Sequence, residues 1–341
     1  MFIHHNFKRR ALTAALLFAP LALALANTTQ EVERVTGTVS LSSPTDYVVT
    51  SPTPFATGAV VNIADTEHAV LILKHVKPSV AGSLLSHVRI GGQAAVAGTN
   101  CQVRIYANGS IVMPYAKTVK PLTVYTGLDQ TGEAAQFAAG SRQSLGGQPV
   151  NNRIRSFRLK RGYMVTFATK SDGKGYSRVF IADGADLAVN LPPILDNSVS
   201  SLRVMQWNDV SKRGYAGRDN TVNTALNTTW CYNWDAGNDN YADREFVTQR
   251  HHEAGIKNGK YEGAWPSVAD CGNNGSSPHI LGQNEPDNTG DPREVVTKIE
   301  DLLAVWPELM ATGKRLGSPA MSGNLNMLYQ FLDSIDARGW R

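Results

Sequence analysis

The sequence has 341 residues, 42% of them hydrophobic and 18% charged, with a formal net charge of +4. This is the composition of a globular chain long enough for about two domains, at roughly 150 residues each. No basic run marks a nucleic-acid surface, and beyond residue 26 no apolar stretch approaches the ~20 residues that span a bilayer.

Residues 1–26 read as a secretory leader. Lys8-Arg9-Arg10 is a positive n-region, Ala11 to Leu23 is apolar apart from Thr13 and Pro20, and Ala24-Leu25-Ala26 is a small-x-small cleavage site. Cleavage near Ala26 makes the protein secreted, extracellular or periplasmic. It also removes three cations and no acid, so the net charge falls from +4 to +1. Export permits disulfides, but three cysteines leave one thiol over. Cys231–Cys271 is the favoured pair, because both lie in the carboxy-terminal half.

Residues 27–199 read as a β-rich accessory module, antiparallel and sandwich-like. Short runs rich in β-branched and aromatic residues, such as Val70-Leu73, Cys101-Ile105, Tyr163-Ala168 and Arg178-Ala182, alternate with turn chemistry. Asn108-Gly109, between Val103-Arg104-Ile105 and Ile111-Val112-Met113, is the clearest hairpin turn. The module has tyrosines but no tryptophan, so it reads equally as a polysaccharide binder or as a structural spacer. Leu191-Pro192-Pro193-Ile194-Leu195-Asp196-Asn197 is a stiff, turn-prone join, and the boundary is placed just after it.

Residues 200–341 have a different texture. All six tryptophans lie at or beyond Trp207. Five strand-like segments appear in order: Lys212-Ala216, Thr228-Trp234, Glu245-Gln249, Ile280-Gly282 and Lys314-Ala320. An amphipathic helix is expected over Val295–Trp306, capped at Asp291-Pro292 and ended or kinked by Pro307, and another over Leu325–Ile335. Strand–helix alternation argues for parallel βαβ units.

Several chemistries lack their residues. His251-His252-Glu253 invites a zinc reading, but a metalloprotease helix needs a histidine at 256, where Ile256 stands. No nucleophile elbow, phosphate loop or dinucleotide fingerprint occurs, so no cofactor or metal is expected. His251 lies on the same side of its strand as Gln249, which suits hydrogen bonds to sugar hydroxyls; the bland alternative is a surface or helix-capping pair.

The sharpest signal is His279-Ile280-Leu281-Gly282-Gln283-Asn284-Glu285-Pro286-Asp287. A short buried strand hands over abruptly to an Asn-Glu pair, and Pro286 forbids its continuation. At the carboxyl rim of a parallel α/β barrel, a glutamic acid in that position protonates a leaving oxygen once burial raises its pKa. An isolated Asn-Glu-Pro is otherwise a helix-capping loop.

Together, Trp230-Cys231-Tyr232-Asn233-Trp234, Glu245-Phe246-Val247, Trp265-Pro266-Ser267, Ile280 to Asp287 and Gly317-Ser318-Pro319-Ala320 resemble the catalytic core of glycoside hydrolase family 128. The resemblance covers roughly residues 200–341 and leaves out the β-rich part. It implies a secreted β-1,3-glucanase with a (β/α)8 barrel and a retaining mechanism. Glu285 would be the acid/base and Asn284 would hold the sugar 2-hydroxyl, while Trp230, Tyr232, Trp234, Gln249, His251 and Asp287 would line the substrate cleft. The nucleophile belongs after the seventh strand, downstream of residue 341. A barrel of this kind takes about 250 residues, so the expected architecture is an all-β sandwich-like module followed by an incomplete TIM barrel, with about five of eight strands present. The expected partner is a β-glucan; nothing in the sequence sets an oligomeric state. Two alternatives remain: a non-catalytic β-glucan-binding or cell-surface protein, and an inactive fragment.

Overall fold

The computed structural model describes residues 27–237, 239–250, 256–257, 260–261, 267–273, 276–291, 295–296 and 298–340. The leader over 1–26, His251-His252-Glu253, Trp265 and Pro292 lie outside the described residues.

The β-rich part builds two separate cores. The first begins with β1 (Thr28–Val32), β2 (Thr38–Leu41), β3 (Thr45–Val49), β4 (Val60–Ile63), β5 (Val70–Leu73), a short helix α1 (Pro78–Ser83) and β6 (Val88–Ile90). Consecutive strands alternate between two sheets, so β1, β3 and β5 stack in parallel in one, and β2, β4 and β6 in the other. This differs from the antiparallel expectation. Short β-branched runs signal a strand but carry no direction, which is set here by the return path through the opposite sheet. β5 is buried on both faces, as parallel strands commonly are: Leu71 and Leu73 join the core between the sheets, while Val70 and Ile72 pack on Ile111 and Met113.

β7 (Gln93–Ala94), β8 (Cys101–Ala107) and β9 (Gly109–Pro114) complete this unit. β8 and β9 form the predicted hairpin, with its turn one residue earlier than the sequence suggested: Tyr106 pairs with Gly109, and Ala107 takes the left-handed conformation at φ 49°. Gly109 is needed for space, because a Cβ there would lie 2.0 Å from the Leu73 carbonyl oxygen.

The second core lies between two antiparallel four-stranded sheets. Its strands are β10 (Leu122–Tyr125), β11 (Ala134–Phe137), β12 (Gln143–Ser144), β13 (Ser156–Leu159), β14 (Tyr163–Ala168), β15 (Ser177–Ala182), β16 (Leu187–Asn190) and β17 (Ser201–Gln206). The sheet orders are β11-β10-β13-β16 and β12-β17-β14-β15. Phe157, Phe167 and Phe180 meet edge-on at its centre with centroids 5.0–6.0 Å apart. The Leu191–Asn197 stretch belongs to this sandwich. Leu195 is fully buried in its core, and Arg155 pairs with Asp196 through two hydrogen bonds. β17 pairs with β14 along its whole length.

After β18 (Asp209–Val210) the pattern changes. β19 (Gly214–Ala216), α2 (Asn220–Ala225), β20 (Trp230–Tyr232), β21 (Glu245–Phe246) and β22 (Thr248–Gln249) are followed by β23 (Ile256–Lys257), β24 (Lys260–Tyr261), α3 (Val268–Asn273), β25 (His279–Leu281), α4 (Ile299–Met310), β26 (Arg315–Leu316) and α5 (Leu325–Ala337). β19, β20 and β21 pair in parallel, as do β22, β25 and β26. Only Val247 separates β21 from β22, and its N–H donates to the Cys231 carbonyl at 2.8 Å, so 245–249 is one continuous strand. The five predicted segments therefore lie side by side in chain order. Ile280 on one face of this series packs against Cys271, Leu302, Trp306 and Phe331 of the helices.

α4 starts later than its apolar periodicity suggested, because the Val296 N–H is taken by the Pro286 carbonyl. It also runs through Pro307. Trp306, Leu309 and Met310 are buried on either side of the proline, and this packing outweighs its lost hydrogen bond.

The amino ends of the parallel strands rest on the sandwich. Arg203 of β17, which is buried, donates from Nη1 to the carbonyls of Gly272 and Thr312 at 3.0 and 2.5 Å. Thr166 Oγ1 donates to Gly313 at 2.8 Å. The first unit is tied on by Ser79, whose N–H and hydroxyl both donate to Asp243. Replacing Arg203 by alanine strands two buried carbonyls and is expected to cost about 2–3 kcal/mol, read as a lower midpoint of chemical unfolding. An unchanged midpoint would mean that the seam contributes nothing.

Candidate functional site

Successive side chains of a strand alternate between faces. Register pairs Gly214 with Trp230, Trp230 with Glu245, and Gln249 with Leu281. Trp230, Tyr232, Glu245, Gln249 and His279 therefore share the face opposite the helices. Gly214 makes room for the aromatic run, since a Cβ there would lie 2.1 Å from the Trp230 ring. Trp230 and Tyr232 stack at 6.2 Å and 17°, and Trp234 meets Tyr232 edge-on at 5.2 Å. Trp234, beyond the end of β20, is 37% exposed.

At the end of β25 the pairing with β26 continues as a bridge between Asn284 and Ala320. Gly282 permits this close approach: a Cβ there would lie 2.8 Å from the Gly317 carbonyl. The Ala320 N–H donates to Gln283 at 3.0 Å, and the Glu285 N–H donates to the Ala320 carbonyl at 2.7 Å. Glu285 then turns the chain with φ at 40°. Its Oε2 accepts from Asn288 Nδ2 at 3.0 Å, and the Asn288 N–H returns to the Glu285 carbonyl at 2.9 Å. Glu285 is half-buried.

Left-handed backbone is ordinary for glycine, asparagine and aspartate in turns, and uncommon for a bulky or long side chain. Trp234 at φ 56° and Glu285 at φ 40° are such residues, and both follow the carboxyl ends of strands in the parallel series. Conformations of this sort cost about 1–3 kcal/mol and persist only where their surroundings impose them.

Asp287 is half-buried, and its carboxylate accepts from three consecutive backbone N–H groups: Ser322 at 2.7 Å, Gly323 at 2.9 Å and Asn324 at 2.6 Å. Desolvation pushes its carboxyl up, and the backbone donors more than offset this, holding it at about 2 against an ordinary 3.8. Because the folded value is the lower one, the stabilisation is complete above about pH 4 and is lost as pH falls through about 2.

Gln249 is buried and donates from Nε2 to the Gly282 carbonyl at 2.9 Å, tying the third strand to the fourth. Its Oε1 and that of Gln283 are buried without partners. His251 lies outside the described residues.

Glu245 is buried at the opposite end of the series. It accepts from Asn208 Nδ2 at 2.8 Å and Ser277 Oγ at 3.2 Å, and lies 3.5 Å from His279 Nδ1. His279 precedes Glu285 by six residues, so the two carboxylates sit roughly 20 Å apart along the strand direction. They do not flank one bond.

The three cysteines are free and buried, which corrects the expected Cys231–Cys271 disulfide. Cys231 belongs to β20 and Cys271 to α3, and burial pushes the Cys271 thiol up to about 12. Sequence reasoning also missed Asn288 as the partner of Glu285. The signal was its position three residues on, where a side-chain amide reaches back across a turn.

Residues 206–338 match the family model described as glycosyl hydrolase catalytic core. This supports a glycosyl hydrolase acting on a carbohydrate. The matched stretch contains the parallel series and the whole 283–287 segment. No curated protein matches the chain. Among solved structures, a βγ-crystallin domain from Flavobacterium johnsoniae is 24% identical, covering 25% of this chain and 94% of its own, with a TM-score of 0.22. The N-terminal domain of Protein S is 26% identical with the same coverages and TM-score. A βγ-crystallin domain from Clostridium beijerinckii is 15% identical, covering 25% and 97%, again at 0.22. No helix among the described residues is long and apolar enough to cross a membrane.

Strain at residue 285 has a direct test in two variants that both lose the Asn288 contact. Glycine adopts this φ without penalty, so Glu285→Gly is expected to be more stable than Glu285→Ala by about 1 kcal/mol, seen as a higher midpoint in chemical unfolding. A glycine midpoint below that of the alanine variant would show that the backbone there is relaxed.

Proposed function

We propose that the protein is a secreted glycoside hydrolase that cleaves β-1,3-glucan with retention, using Glu285 as its acid/base. The observation that carries this reading is the left-handed Glu285 at the carboxyl end of β25, inside the stretch that matches a glycosyl hydrolase catalytic core. Glutamate held at a strand end by Asn288 and the Ala320 backbone is a proton donor in fixed register with whatever lies along the rim. Asn284 would bind the sugar 2-hydroxyl at the cleavage point. Trp230, Tyr232 and Trp234 would take the apolar faces of the sugar rings, with Gln249 and His251 hydrogen-bonding to hydroxyls.

Retention needs a second carboxylate about 5–5.5 Å from the first. Glu245 is too distant, and this reading puts the nucleophile on a further strand of a (β/α)8 barrel. Two features support a longer parallel series. β26 pairs only with β25 among the described strands, and α5 exposes Leu325, Tyr329 and Leu332 at 57%, 58% and 38%. Another βα unit would pair with that edge and cover that face. The leader over 1–26 would deliver the enzyme to its polymer outside the cytoplasm.

The test compares hydrolysis and binding of soluble β-1,3-glucan by the natural secreted protein and by its Glu285→Gln variant. Loss of the acid is expected to lower kcat by about 10²–10⁴-fold while binding survives. Binding without turnover in the parent protein would favour the non-catalytic glucan-binding reading, which the exposed Trp234 stack also suits. Equal turnover in both proteins would remove Glu285 from the chemistry.

A further inference from the structure

The resemblance places Asp287 among residues that line the substrate cleft, but its carboxylate is engaged elsewhere. Three alternate residues, Gln283, Glu285 and Asp287, each bond to the segment 320–324 that follows β26. Gln283 accepts from Ala320, Glu285 donates to Ala320, and Asp287 accepts from Ser322, Gly323 and Asn324. Glu285 sits midway along this seam and is the member with the unfavourable φ. The far end of the seam is anchored independently. Asn324 caps α5 through its side chain, accepting from the Met327 N–H at 3.1 Å, and Phe331 of that helix is fully buried.

A left-handed glutamate relaxes unless the chain on both sides of it is pinned. On the amino side, β25 and the Asn284–Ala320 bridge hold it. On the carboxyl side, the Asn288 N–H holds the Glu285 carbonyl and the Val296 N–H holds that of Pro286, and the side chain that ties this stretch across to 320–324 is that of Asp287. We infer that Asp287 is a positioning residue: its three backbone hydrogen bonds to Ser322, Gly323 and Asn324 impose the left-handed backbone that sets the Glu285 carboxyl, and it does not contact substrate. This inference rests on the reading of Glu285 as acid/base for its catalytic consequence, and on geometry alone for its structural one.

The structural consequence is tested without activity, by a double-mutant cycle on the full chain that compares Glu285→Gly with Glu285→Ala, with and without Asp287→Ala. If Asp287 enforces the strained φ, glycine at 285 gives a higher unfolding midpoint than alanine at 285 when Asp287 is present and brings no gain in the Asp287→Ala protein, where residue 285 is already free to relax. Equal gains in both backgrounds overturn the inference, because something other than Asp287 then holds residue 285. Amide hydrogen exchange is the companion measurement. Asp287→Ala is expected to speed exchange at Ser322, Gly323, Asn324 and Glu285 while the strands of the sandwich keep their protection. Faster exchange throughout the chain would mean that Asp287 is merely structural.

The catalytic consequence is read on the natural secreted protein with β-1,3-glucan. A misplaced acid costs about 10²-fold in kcat, with KM held within about twofold. Asp287→Asn, which keeps one acceptor oxygen, is expected to fall between the parent and alanine variants. A raised KM at unchanged kcat would instead make Asp287 a substrate contact and overturn the inference. If the parent protein hydrolyses no glucan, the glycosidase reading fails, while the double-mutant cycle still decides whether Asp287 positions residue 285.

Discussion

The hydrogen-bonded seam between residues 283–287 and 320–324 is the constraint on which the carboxyl end of the parallel series depends. β25 and β26 are only three and two residues long, too short to hold a fixed separation far beyond their last ladder bond. The seam extends their pairing past the point where Pro286 ends it. It does so with a glycine at each crowded crossing: Gly282 faces the 317–319 backbone, and Gly317 lies against the Leu281 side chain. A side chain at Gly282 would push the two segments apart and open the turn that carries Asn284 and Glu285.

The two ends of the strands are built on different principles. At the amino end a set of buried polar groups is satisfied: Glu245 by Asn208 and Ser277, and the carbonyls of Gly272, Thr312 and Gly313 by Arg203 and Thr166, while Trp207 Nε1 and Arg244 Nε lack partners. Burial drives the Lys314 ammonium there down to about 7, a measure of how dry this seam is. At the carboxyl end the backbone is strained at Trp234 and Glu285, and Gln249 and Gln283 keep acceptor oxygens without partners. In parallel α/β proteins the amino face serves stability and the carboxyl face serves chemistry. Backbone strain at the carboxyl end is tolerated because the sandwich secures the amino end.

Much of this was legible in the sequence where local signals coincide. The five parallel segments were found because each combines β-branched or aromatic residues with a turn after it. The turn after β25 was legible because Asn-Glu-Pro breaks a strand abruptly. In the β-rich part, direction and partnership were not legible. Nothing in Thr45–Val49 or Val70–Leu73 says that these strands stack in parallel, and the two prolines after Leu191 read as a linker although Leu195 is fully buried beside them. The start of α4 was misplaced because an apolar period cannot show that the Val296 N–H is already taken by Pro286. Backbone strain is invisible for the same reason. Glutamate and tryptophan carry no preference for positive φ, so only the tertiary setting reveals that both are held there.

That setting also bears on why the two strained residues occur where they do. β20 and β25 flank the strand over 245–249, and each ends in a residue bent out of its preferred conformation beside an aromatic run or an amide-rich turn. Relaxing either residue would lower the energy of the fold and reorient one rim group relative to the other. Glycine or asparagine takes positive φ at Gly313 and Asn227, but Ala107 and Gln130 take it in turns of the β-rich part, so the conformation by itself assigns no role to either side chain. The aromatic run and the half-buried Glu285 are thus fixed on either side of one strand, at the same end of the parallel series.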